Sequence, residues 1–486
     1  MLQTLDNTIA NVALPQMQSA LSATQDQMAW VLTSYIVAAA IMTPLSGWLA
    51  GYLGRRRLLQ ISVASFTLAS VLCGMASSLP EVVVFRFLQG LAGAALVPMS
   101  QAVLFDINPP ENHGKAMALW AQGTVIGPMI GPIIGGWLTD NFSWRWVFYV
   151  NLPLGVLAFF GMIAFLPKDH AQKSRFDFFG FALLAIAVAA LQLVLDRGPS
   201  NDWFNSQEIW VEAVVAGLAF YMFVVHSATT RTPFIPLAIF TDRNFLTGTV
   251  FIFAIGIVIF ATLVLLPTLL QSLMHYPIYD AGLLIAPRGL GTFAAMMLAG
   301  RLVGRIDSRL LIGIGFAITA VSAWQMTRFN LLMNGTPVFV SGMVQGFGTG
   351  LAYVPMAAIT FATLSPALRN QGTAMFSLVR NLGSSIGISI VQALLIRNVQ
   401  VIHSTLSEHL VPFNLMARNP QLAQQISTSA GVVALNAQVT QQATMVAYID
   451  DFYFMLILAL LTFPLLLLVK PASRQTDRDA PPIAME

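Results

Sequence analysis

Apolar positions along this chain gather into long runs instead of alternating with polar ones. After an opening run that begins at residue 1, such runs cover approximately 30–53, 58–78, 82–105, 116–139 and 146–166. Two shorter ones follow at 178–195 and 209–225, and six more at 245–270, 280–302, 310–329, 337–363, 373–396 and 452–469. A bilayer core is about 30 Å thick and a helix rises about 1.5 Å per residue, so about 20 mostly apolar residues make one crossing. The pattern predicts an all-α polytopic membrane protein with fourteen spans.

The chain also repeats itself. GWLAGYLGRRRLL (47–59) is echoed by GRLVGRIDSRLLI (300–312), LQGLAGAALVPM (88–99) by VQGFGTGLAYVPM (344–356), and GKAMAL (114–119) by GTAMFS (372–377), at spacings within a few residues of 256. Two six-helix cores follow, with the 178–225 pair inserted between them. The expected division is 1–168 for the first bundle, 169–230 for the inserted hairpin with its flanking loops, and 231–470 for the second bundle, with a long outer loop at 397–450. Residues 471–486 form a cytoplasmic tail. Secondary transporters use repeats of this kind to build a central site between two moving halves.

Composition agrees with a membrane setting. Only 9% of the 486 residues are charged, 56% are hydrophobic and mean hydropathy is +0.73. The net charge of +3 is spread over short loops, so the basic pI carries no suggestion of nucleic acid. With residue 1 inside, 16 Lys and Arg fall on the inner side, five on the outer side and three within spans. That bias predicts both termini in the cytoplasm. Cys73 is the single cysteine, so an intrachain disulfide or a cysteine metal cluster is ruled out. No basic n-region precedes the polar Asp6, Asn7 and Asn11, so no cleavable signal peptide is expected. His113, His170, His226, His275, His403 and His409 fall in loops or at span ends without metal-ligand spacing, and neither a nucleotide P-loop nor a serine-hydrolase elbow is present. The expectation is a transporter without cofactor or metal, not an enzyme.

Charge inside a bilayer costs roughly 2.5–3.5 kcal/mol at a helix centre, so embedded ionisable residues are functional candidates. At 100° per residue, Gln3, Thr4, Asn7, Thr8 and Asn11 share one face of the opening helix and Asp6 flanks it. That face should line a cavity. Asp6 is then the candidate for the coupling proton, because burial favours its neutral form and a nearby cation its carboxylate. The plainer alternative is a first-turn Asp that suits the helix dipole. Arg86, with Gln89 on the same face, lies one turn into the fourth span, and its alternative is snorkelling outward past Glu81. Arg288 lies two turns into the tenth span, beside Pro287, and Arg380 and Asn381 sit in the thirteenth. Either arginine could bind an anionic substrate or pair with Asp6. In the fifth span Gly127, Gly131 and Gly135 form one groove, while Pro128 and Pro132 withdraw backbone donors and Gly136 extends the small-residue run.

These stretches resemble the 14-helix drug:proton antiporters of the major facilitator superfamily, most closely the EmrB type. LDNTIANVALP resembles the first-helix motif, FRFLQGLAGAA the fourth-helix motif, GPMIGPIIGG the fifth-helix antiporter motif and WRWVFYVNLPLG the start of the sixth helix. RFDFFG and FTDRNF match the flanks of the extra helix pair. The resemblance implies a cavity-facing, proton-linked Arg86, a basic role at Arg380 and a gate in the fifth-span glycines. The superfamily loop motif is matched by Gly47, Leu49, Ala50, Gly54, Arg55 and Arg56, with Arg57 in the same basic cluster. Gly51 stands where an Asp is usual, so the carboxylate of that gating relay is missing there.

The resemblance implies proton-coupled export of amphipathic toxic compounds by alternating access in a bacterial inner membrane. The Met- and Phe-rich spans would form an adaptable pocket. It also suggests that the 397–450 loop meets an EmrA-type periplasmic adaptor, which passes substrate to an outer-membrane channel. Nutrient uptake by symport and export of one specific metabolite are the competing readings, and the fifth-span motif argues against uptake. If Pro15 marks the outer end of the first span, Met1–Leu14 covers only about 21 Å. A start about 15 to 25 residues upstream, or a locally thinned bilayer, is therefore expected.

Overall fold

Backbone groups in lipid must bond within their own segment, and the apolar runs accordingly become helices. The computed structural model describes residues 1–109, 112–167, 175–365, 368–408 and 428–469. Its helices are α1 (Leu2–Ala20), α2 (Gln25–Leu53), α3 (Arg55–Met75), α4 (Leu79–Gly93), α5 (Leu96–Ile107), α6 (His113–Asn141), α7 (Trp146–Tyr149) and α8 (Asn151–Phe165). The inserted pair is α9 (Phe178–Arg197) and α10 (Gln207–Thr229). Then come α11 (Arg243–Thr268), α12 (Ile278–Ile285), α13 (Pro287–Leu302), α14 (Ser308–Met326), α15 (Thr336–Ala362), α16 (Arg369–Glu408) and α17 (Ser429–Leu461). Helix therefore occupies every one of the fourteen predicted runs.

Among the described residues, twelve helical segments are long and apolar enough to cross a membrane. α1 and α15 are not among them. Both carry polar residues that the bundle buries, Asp6 in α1 and Ser341, Gln345, Thr349 and Thr360 in α15. The fourth span breaks between α4 and α5, and the tenth breaks ahead of Pro287, which opens α13 where its missing N–H is least costly. Gly54, at φ +83°, ends α2 and begins α3 with no intervening loop, a backbone conformation that suits glycine.

Two expectations are corrected. Pro15 does not end the first helix: α1 runs on to Ala20, because one lost backbone bond is outweighed by burial of Met17 in the next turn. Nor is 397–450 a loop throughout. Residues 397–408 continue α16, and 429–450 form the first part of α17, a segment rich in alanine and glutamine that favours helix. Asn398 Nδ2 donates to Asp450 Oδ2 (3.1 Å), and His403 Nε2 contacts Asn436 Oδ1 (3.0 Å), clipping the two extensions together. His170, His409 and the 471–486 tail lie outside the described residues.

α1 packs on α6, α2 on α4, and α3 on α4 and α8; in the second half α11 packs on α16, and α15 on α13 and α14. The halves meet where α13 lies on α6 and α16 on α2 and α5. There Gly47 lies against the Gln371 backbone, Gly114 against Val303 and Gly300 against Ala118, all too tightly for an added Cβ without some shift. The ring of Phe105 contacts that of Phe361 at 5.0 Å. Asp106 pairs with Arg55 from its own half and accepts from Arg369 Nη1 (3.0 Å) across the interface, while Arg55 Nε donates to Asn370 Oδ1 (2.6 Å). Arg56 Nη2 caps the Ile163 carbonyl (2.8 Å), and Arg57 is exposed. The carboxylate of this cluster comes from α5.

The inserted pair bridges both halves. Thr33 of α2 hydrogen-bonds Asp196, and Ser389 Oγ of α16 donates to the Leu195 carbonyl (2.5 Å). At the other end, Asp177 caps α9 by accepting from Gly180 N–H (2.9 Å), accepts from Phe234 N–H (3.0 Å) and meets His226 Nε2 (3.0 Å). Partial burial favours its neutral acid, but these hydrogen bonds outweigh that and hold its carboxyl below the usual range. A depressed value stabilises the fold above the unfolded-state pKa, and that gain is lost as pH falls through the folded value. Asp177→Asn should therefore lower the unfolding temperature at neutral pH. The gap to wild type should close in acid below about pH 4, a convergence readable by thermal unfolding of the solubilised protein.

Candidate functional site

Asp6 is 1% exposed, and Arg86, Gln89 and Asn151 show no exposed surface at all. Four helices bring them together. α1 contributes Asp6, α4 contributes Arg86 and Gln89 one turn apart, α8 contributes Asn151 at its first residue, and α3 adds Ser70. Arg86 Nη1 donates to Asp6 Oδ2 (2.6 Å) and to Gln89 Oε1 (2.8 Å). Gln89 Nε2 (2.9 Å) and Asn151 Nδ2 (2.6 Å) both donate to Asp6 Oδ1. Asn151 also donates to Ser70 Oγ (3.0 Å), which itself donates to the Phe148 carbonyl (2.8 Å). The guanidinium lies 4.5 Å from the centroid of Tyr35 and 5.7 Å from that of Phe148, and its Nε reaches the Val31 carbonyl (3.3 Å).

Each oxygen of Asp6 thus receives at least one charged or amide donor, the short, directed contacts that a carboxylate accepts. A proton arriving at Asp6 would cancel the attraction for Arg86 and leave a guanidinium buried with two aromatic faces and amide oxygens. Arg86 does not snorkel, and Glu81 instead accepts from Ser77 N–H (2.8 Å) at the start of α4.

The fifth-span glycines bear directly on this helix. Gly127 lies against Thr4 and the Leu5 backbone, Gly131 against Thr8, and Gly135 against Ile9, so α1 and α6 touch backbone to backbone. Thr8 Oγ1 reaches the Gly127 carbonyl (3.3 Å). Pro128 is half-buried, α6 runs unbroken through position 132, and Gly136 faces open space. Two members of the polar face, Thr4 and Thr8, thus serve this packing. Gln3 and Asn7 are half-buried and Asn11 is exposed; no hydrogen bond described joins them to Asp6.

The structure does not bring Arg288 or Arg380 to Asp6. Arg288 is buried, with Nη2 donating to the Ile259 carbonyl (2.9 Å) and Nη1 without a hydrogen-bond partner. Its Cβ lies 3.8 Å from where a Cβ on Gly342 would stand, so Arg288 on α13 and Gly342 on α15 adjoin in ordinary contact. Arg380 and Asn381 are half-buried on α16, with Arg380 beside the buried Tyr353, whose ring stacks 6.4 Å from Trp120 of the other half. Asn151, Ser70 and Tyr35 were not singled out by the sequence pattern. Asn151 had a signal, being the one amide between Trp146 and Pro153 in an otherwise apolar run.

The Major Facilitator Superfamily model matches residues 1–388. The chain belongs to that superfamily. The multidrug export protein EmrB of Escherichia coli K12 is 34% identical over 475 residues, covering 95% of this chain and 92% of EmrB. EmrB of Haemophilus influenzae is 34% identical over 90% of this chain and 89% of its own length. The fatty acid resistance protein FarB of Neisseria gonorrhoeae is also 34% identical, over 97% and 94% respectively. The human organic anion transporter MFSD10 shares the fold, with a TM-score of 0.58 at 12% identity over 94% of this chain and 97% of that one. The EmrB-type resemblance read from the motifs therefore holds, and this major facilitator chain is a multi-pass membrane transporter.

Removing one partner of a buried ion pair leaves an uncompensated charge, whereas replacing both with apolar groups of similar size is often tolerated. Arg86→Met is expected to cost about 3–5 kcal/mol, and Asp6→Leu combined with Arg86→Met to restore most of it. Thermal unfolding in detergent reads both, and equal losses in the single and double variants would contradict the pairing.

Proposed function

We propose that the chain is a proton-coupled multidrug efflux antiporter that exports amphipathic toxic compounds by alternating access. The observation that carries this reading is the buried Asp6–Arg86 pair, a carboxylate with three donors that a proton can release. In this cycle a proton from outside neutralises Asp6, Arg86 and α4 relax, and the halves rock. Substrate entering from the inside favours return to the ionised pair. The names of the EmrB and FarB relatives support export of toxic amphipaths over uptake. Gly127, Gly131 and Gly135 act here as a close-packed hinge between α1 and α6. Gln3, Asn7, Asn11, Arg288, Arg380 and Asn381 belong to the substrate and proton pathway.

The same reading places the chain in a bacterial inner membrane with both termini cytoplasmic, supported by the bias of 16 inner to five outer Lys and Arg. The unit boundaries at 168, 230 and 470 follow from it. The helical arms that extend α16 and α17 past the bilayer form a docking platform for an EmrA-type adaptor and, through it, an outer-membrane channel. Deleting 405–440 should then abolish export from intact cells while purified protein still transports in vesicles; undiminished cellular export counts against docking.

Energised cells expressing wild type should accumulate less of an amphipathic dye than cells expressing Asp6→Asn, and an uncoupler should erase the difference. Equal accumulation in both strains would falsify the assignment of Asp6.

A further inference from the structure

The cluster around Asp6 has a counterpart in the second half, and the two differ in where charge is placed. Thr262 stands 256 residues after Asp6, and Gln345 stands 256 after Gln89. Gln345 Nε2 donates to Thr262 Oγ1 (3.0 Å), as Gln89 Nε2 does to Asp6. The run FYVN at 148–151 returns as FYFM at 452–455, so Met455 takes the place of Asn151, and Thr262 Oγ1 meets Met455 Sδ (3.5 Å). Phe148 and Phe452 are each fully buried. In the same register Asp451 replaces Val147. The hydroxyl, amide and thioether of the second cluster carry no charge, and a carboxyl appears one turn away in a slot that holds a valine in the first half.

Asp451 has no exposed surface, and neither of its oxygens has a hydrogen-bond partner. Its neighbours along α17 are Tyr448, Phe452 and Met455, which pack with Ala261, Leu265, Met326, Phe329 and Val338. On α17 itself, Asp450 accepts from Asn398 of α16, and Tyr448 is a second acid. On α16, Arg369 donates to Asp106, Arg380 lies beside Tyr353, His403 meets Asn436, and Arg397 and Glu408 are exposed; on α14, Arg309 stands in the first turn, and beyond its other end the Arg328 guanidinium sits 4.0 Å over Trp324. α11 has no ionisable side chain after Arg243. A carboxylate with no cation and no donor is strongly disfavoured in such a slot, whereas a neutral acid is not. A metal ion would need several oxygen ligands, and the nearby carboxylate is already engaged by Asn398. A proton needs only one oxygen.

We propose that Asp451 is a second proton-binding carboxyl, carried by the C-terminal half. It holds its proton while α11, α14 and α16 close around α17, and exchanges it with water when they part. Its part in transport rests on the export reading above; its protonation does not. The two charges of the first half are thus answered in the second by Arg288 and Asp451 at new positions, one on α13 and one on α17.

Infrared difference spectroscopy on the purified full-length protein in detergent reads this without any transport. Wild type should show the carbonyl stretch of a protonated carboxyl at neutral pH, converting to carboxylate as pH rises while the protein remains folded. The band should be lost in Asp451→Asn and in Asp451→Val, the latter taking the residue the first half uses, and should persist in Asp6→Asn. A band that survives both Asp451 replacements, or one that converts only when the helices unfold, overturns the proposal. Loss of dye export in cells with the band intact would instead bear on the export reading alone.

Discussion

A guanidinium and a carboxylate sealed away from water at 2.6 Å persist only because each is answered by the other and by amides placed around them. Everything near the pair follows from that constraint. Gln89 sits one turn from Arg86 so that both reach Asp6. Asn151 starts α8 so that its amide points inward, and Ser70 fixes that amide. α1 must approach α6 closely enough to deliver Asp6, which the glycines at 127, 131 and 135 permit. Changes in the charge of a single oxygen therefore bear on four helices at once.

The two halves share a frame but not a charge distribution. The Gln89–Asp6 bond has its equivalent in Gln345–Thr262, yet the second bond is neutral. The halves close on one another through the Arg55–Asp106–Arg369 cluster and the Phe105–Phe361 contact, away from the Asp6 site. An interface made of a few ion pairs and glycine-backed helix crossings can part and re-form without unfolding either half, as rocking requires.

The fold was legible because lipid demands long apolar runs, and the repeat fixed how the halves correspond. Asp6, Arg86 and Gln89 were legible because a charge or amide inside an apolar run is conspicuous. Pairings were not. Arg288 and Arg380 looked equally able to reach Asp6, since helix periodicity gives the face of one helix but not its neighbour. Asn151 was hidden by its position at the head of a helix, where an amide normally reads as a cap. Asp451 was hidden because the last span was expected to begin just after it, at 452, whereas α17 begins at Ser429. Pro15 misled for the opposite reason, reading as a stop although the packing of Met17 carries the helix past it.

The central claim is that Asp6 exchanges Arg86 for a proton during each cycle. Purified protein in vesicles separates that step from the rest, because substrate-for-substrate exchange needs no net proton movement whereas uptake driven by an imposed pH gradient does. The account predicts that Asp6→Asn retains exchange at zero gradient and loses gradient-driven uptake. Gradient-driven uptake at the wild-type rate in Asp6→Asn would contradict it.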